Sequence, residues 1–253
     1  MSTLTLSFIA AGCTVAGALA GVWLQARLPS HHLSEQAQDT VKVAAGVLAT
    51  MCALVLGLLV SSAKNSYDVA SANAALIGAK FIALNELLEE YGPETKPLRA
   101  KLKTVLTERI DSIWHPKSTG LSALLAIEAS RGPALLQKSL SELVPKSDEQ
   151  KMLLGELWTI SGELRSDRLL LIEQQQEGLP PALLAVLILW LTLLFVSFGL
   201  FAPRNGTVIA TLLVCASSVS SAIFLILEMS RPLEGLIKIS SGPLENAVKL
   251  LGQ

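Results

Sequence analysis

Four stretches of this chain run for about twenty residues each without a charged side chain, and helices of that length cross roughly 30 Å of hydrocarbon. The first, Leu4 to Leu24, meets its first charge only at Arg27. The second, Val43 to Ala63, is bracketed by Lys42 and Lys64, which fix its two ends at the membrane interfaces. A third lies between Glu177 and Arg204 and opens on Pro180-Pro181, where a helix N-terminus tolerates proline. The fourth, Thr207 to Leu227, stops at Glu228. So short a connection between the last two makes them an antiparallel hairpin.

Composition agrees with a bilayer environment. Only 16% of the 253 residues are charged, below the roughly 25% of soluble domains, and the mean hydropathy is +0.52. A net charge of -1 supplies no basic field for nucleic acid.

Between the second and third spans, charges of both signs mix with apolar residues at helical spacing, which predicts a soluble helical domain. Breaks are expected at Tyr91-Gly92-Pro93, His115-Pro116, Gly132-Pro133 and Val144-Pro145, and a helix start at Ser147-Asp148-Glu149. No breaker falls between Lys64 and Tyr91, so the second span is expected to continue out of the membrane. The chain reads as an all-α membrane protein with transmembrane helices 1 and 2 in residues 1–63 and the soluble helical domain in 64–177. Transmembrane helices 3 and 4 then occupy 178–228, and a C-terminal tail 229–253. Leu244, Val248 and Leu251 share one face of that tail, which is expected to lie on the membrane surface or against the soluble domain, or equally to serve as an oligomer contact. Four spans put both termini and the domain on one side. Lys64, Arg165, Arg168, Arg231 and Lys238 there, against Arg27, Lys42 and Arg204 opposite, favour a cytoplasmic domain in a multi-pass protein of the bacterial inner membrane.

Span two carries Ala45, Ala49, Ala53, Gly57 and Ser61 at steps of four, and span one carries Gly17 and Gly21 in a GxxxG arrangement. Small residues let helix backbones approach closely in lipid, so packing is the commoner use of such a stripe. The alternative is that copies of span two surround an axis and the stripe lines a pore. Span four, with Thr211, Ser217, Ser218, Ser220 and Ser221, can use its hydroxyls on neighbouring helices, on a wet path or on its own backbone. Glu228 and Arg231 are spaced for an i,i+3 interaction.

Residues for chemistry are scarce. Cys13, Cys52 and Cys215 lie in apolar runs and behave as small hydrophobes. His31-His32 with Glu35 and Asp39 lacks the i,i+4 spacing of a helical metal site, so no metal or other cofactor is expected. No phosphate-binding glycine loop, zincin motif or nucleophile elbow occurs. An enzyme is therefore not expected.

The closing segment LILEMSRPLEGLIKISSGPLENAVKLLGQ, Leu225 to Gln253, resembles the signature of the bestrophin-like membrane family. SSAKNSYDVAS after span two, EYGPE, RIDSIW and FGLFAPRN resemble it as well, so the likeness covers nearly the whole chain. Its signature positions here are Glu228, Arg231, Pro232, Gly235 and Pro243. The family pattern E-M-D-x-P-F-x-G is altered at two places, with Ser230 for the acid and Leu233 for the aromatic. The family is named for its likeness to bestrophins, pentameric anion channels with four membrane helices per subunit, a pore lined mainly by the second and a helical cytosolic domain. The resemblance thus implies a homo-oligomeric, ion-conducting channel, anion-selective and pentameric by analogy, with membrane lipid and inorganic ions as partners. Span two here lacks the aromatic side chains that narrow the bestrophin pore. The other reading is a non-conducting membrane scaffold or sensor whose helical domain recruits a partner.

Overall fold

The computed structural model describes residues 3–29, 34–114, 132–176, 180–203, 205–233 and 236–251. Among the described residues there are helices and no strand. Four helices are long and apolar enough to cross a membrane: α1 (Thr3–Arg27), α2 (Glu35–Tyr91), α6 (Pro181–Leu200) and α7 (Gly206–Met229). The others are α3 (Lys96–Trp114), α4 (Gly132–Ser141), α5 (Asp148–Gln176) and α8 (Gly242–Leu250). The chain is an all-α membrane protein.

The 57 residues of α2 are one uninterrupted helix, about 85 Å long and so far longer than a bilayer requires. It ends where the sequence places a breaker: Gly92 has φ 134°, a backbone conformation that glycine reaches without a Cβ penalty. The 3-10 turn Pro93–Thr95 then leads into α3. At the start of α5, Ser147 Oγ accepts the Gln150 N–H at 3.1 Å, the side-chain cap that its sequence signals.

The chain divides into two compact units. One comprises Met1–Ser66 with Gly178–Arg231, the other Tyr67–Glu177 with Pro232–Gln253; α2 contributes to both. In the first unit α1 packs against α6 and α7, while direct contact within the α6–α7 hairpin is slight. Span one can serve both partners because its buried residues are small. Ser7, Ala10, Thr14, Gly17, Ala18 and Gly21 follow one another at steps of one, three or four. A Cβ on Gly17 would lie 2.8 Å from Thr192 O, and one on Gly21 would collide with Val196 O. From the other helix, a Cβ on Gly199 would collide with Ala18 O. Here the GxxxG spacing serves close packing within the chain. Segment α2 joins this unit through Leu48, Cys52, Leu59 and Ala63, packed with Leu187, Leu191 and Ile223.

The second unit has a leucine-rich core. Leu84 and Leu88 of α2, Leu102 and Leu106 of α3, Leu140 of α4 and Leu157 of α5 are buried together, and Leu244, Ala247 and Leu251 of the tail belong to the same cluster. The tail's apolar face is therefore spent inside this unit.

Candidate functional site

A helix turns about 100° per residue, so positions four apart drift by about 40° and five such positions wind through about 160°. The span-two stripe follows this drift. Ala45 and Ala49 are half-buried, whereas Ala53, Gly57 and Ser61 are exposed. A Cβ on Gly57 would meet nothing within 4 Å. The residues of α2 that pack within the chain are Leu48, Cys52, Val55, Leu56, Leu59 and Ala63, on the other side of the helix from Gly57 and Ser61. Among the described helices of this unit none covers the narrow part of the stripe, unlike Gly17 and Gly21.

Span four spends its hydroxyls locally. Thr211, Ser217, Ser218, Ser220 and Ser221 each donate to the carbonyl four residues earlier, at 2.7–2.9 Å. Self-satisfied hydroxyls can face lipid or another helix at little cost.

The signature positions fall into distinct settings. Glu228, only 1% exposed, ends α7, and Arg231 is exposed, its N–H donating to Glu228 O at 3.1 Å. Pro232 is buried, and its carbonyl accepts the Ile239 N–H at 3.0 Å. Pro243 sits on α2, where a Cβ on Gly78 would lie 2.8 Å from Pro243 O. Gly235 lies outside the described residues, as do His31, His32 and His115. Among the described residues there is no group of three or more His, Cys, Asp or Glu placed to hold a metal ion.

Several polar side chains hold the second unit together. Trp114 Nε1 donates to Ile239 O at 2.7 Å, and Tyr67 Oη donates to Lys238 O at 3.3 Å. Asn85, itself buried, donates to Leu250 O at 3.5 Å and accepts from Arg99 Nε at 2.8 Å. Lys80 of α2 pairs with Asp167 at 2.7 Å and Glu163 at 3.0 Å of α5. Burial alone would push the Lys80 ammonium down, but hydrogen bonds and charge from Asp167 and Glu163 outweigh it and hold the group above its ordinary value. Half of these acceptors are main-chain carbonyls, available at any residue type, so spacing alone does not single out their donors.

The family description of a Bestrophin-like domain matches residues 12–244 of the chain. No curated protein and no solved structure gives a match.

Proposed function

The chain belongs to the bestrophin-like family, and from that premise we propose that this multi-pass, channel-type membrane protein is a homo-oligomer that conducts ions, with α2 of each subunit at the axis. One observation carries the reading: the small residues Ala53, Gly57 and Ser61 form an exposed face of span two that no described helix of the first unit covers. A pore wall needs room and weak polarity, and this face supplies both. Ala45 and Ala49 extend it toward the other end of the span, turned partly into the bundle. In this proposal five subunits close a ring, since closed cyclic symmetry is what a central pore requires. Anions are the permeant class, by analogy with bestrophins. The extramembrane unit and both termini face the cytoplasm, in a bacterial inner membrane, in keeping with the bias of Lys and Arg at the span ends.

Planar-bilayer recording of the purified protein tests this. Ion currents are expected; silence across voltage, pH and calcium concentration overturns the channel. Gly57→Leu is expected to block flux and leave the oligomer intact. Dissociation of the oligomer by the same change would instead make this face a packing seam, as the scaffold reading requires.

A further inference from the structure

The second unit is discontinuous in sequence. Its core is closed by residues within 236–251, which the chain supplies only after α6 and α7. This segment runs beside α2 as a strap. Its successive seats on α2 are Tyr67, then Ala70 and Ala74, then Gly78, then Asn85. Steps of three, four and seven keep these positions near one side of a helix. At the first seat Tyr67 bonds Lys238 O, while Trp114 of α3 bonds Ile239 O. Ile239 is 2% exposed in a cluster with Ala70 and Ala74. The main chain at Pro243 lies so close to Gly78 that any side chain there would displace it. Leu244, Ala247 and Leu251 then complete the leucine core.

Residues that share one core cannot lie on opposite sides of a bilayer. With α6 crossing, the strap returns to Tyr67–Trp114 only when α7 crosses back. A hairpin that crosses once sends the strap to the wrong side and leaves the Ala70–Ala74–Gly78 groove and the leucines beyond it uncovered. Exposed apolar surface of this kind marks a chain as unfolded. We propose that the strap makes closure of the extramembrane unit a checkpoint on insertion of the last hairpin. No part of this depends on ion conduction.

The test uses the full-length chain in membrane vesicles, with protease resistance of the extramembrane unit as readout. The side on which the strap lies is read by labelling Leu236→Cys, an exposed position, with a membrane-impermeant thiol reagent. Val214→Arg, at an exposed site within α7, supplies chains whose last span fails to cross. Chains labelled from the wrong side are expected to be cleaved in the extramembrane unit on the order of tenfold faster than wild type, because cleavage follows the population of the open form. Gly78→Leu tests the seat alone: labelling should stay on the correct side while cleavage accelerates as much. Gly162→Leu, on α5 where a Cβ meets only open space, should change neither. Wild-type resistance in the mis-sided chains, or in correctly sided Gly78→Leu, overturns the checkpoint.

Discussion

Gly17, Gly21 and Gly57 lack the same side chain in two different surroundings, and the difference decides what each does. Gly21→Ala puts a methyl group into Val196 O, so it should separate α1 from α6 and lower detergent-solubilised stability by about 1–3 kcal/mol, as overpacking does. Gly57→Ala should leave the unfolding midpoint of the monomer unchanged or slightly raised, since its Cβ meets open space. Comparing the two midpoints by thermal denaturation checks the contrast. Lys80 offers a second test. Its ammonium is held above the ordinary value of 10.5 by Asp167 and Glu163, so its stabilisation is complete below that pH and is lost as pH rises through the raised value. Thermal stability should therefore be insensitive to this group at neutral pH and fall in strong alkali. Lys80→Met should remove that part of the alkaline fall and cost about 1–2 kcal/mol at neutral pH, because it strands a largely buried carboxylate on Asp167. An alkaline profile identical in wild type and variant would refute the assignment.

Among the elements, α2 and α7 show how far periodicity can be trusted. The absence of a breaker between Lys64 and Tyr91 is sufficient to predict a continuous α2, because helix continuation depends on local backbone chemistry that glycine and proline interrupt. The five small residues of span two, by contrast, read as one face only if the drift of about 40° per four-residue step is neglected. Including that drift carries the stripe from the bundle side to the open side. In α7 each hydroxyl is satisfied by the preceding turn, so the exposed serines contribute little to the fold. The triple change Ser217→Ala, Ser218→Ala and Ser221→Ala should shift stability by no more than about 0.5 kcal/mol and leave conductance intact. A change in conductance by this variant, read in planar bilayers, would move the permeation path from α2 to α7.

For the whole molecule, the expected assembly is a five-membered ring with α2 innermost, and a symmetric reconstruction or native mass of the detergent-extracted protein checks it. A compact dimer would remove the axis on which the pore depends. The four spans, the extramembrane helical region and its breaks at Gly92 and Pro145 were legible from the residues, because hydropathy and backbone propensity act over a few turns at most. So was the family signature, although it gave no hint of what Pro232 and Pro243 touch. Which side of span two stays open, which glycines are consumed by α6, and the seating of the C-terminal strap on Tyr67, Gly78 and Asn85 were settled only by the tertiary structure. Those outcomes join residues as far apart as Gln25 and Ala202 or Asn85 and Leu250. Such contacts depend on how whole helices are placed, and the local pattern of any one segment is compatible with many placements.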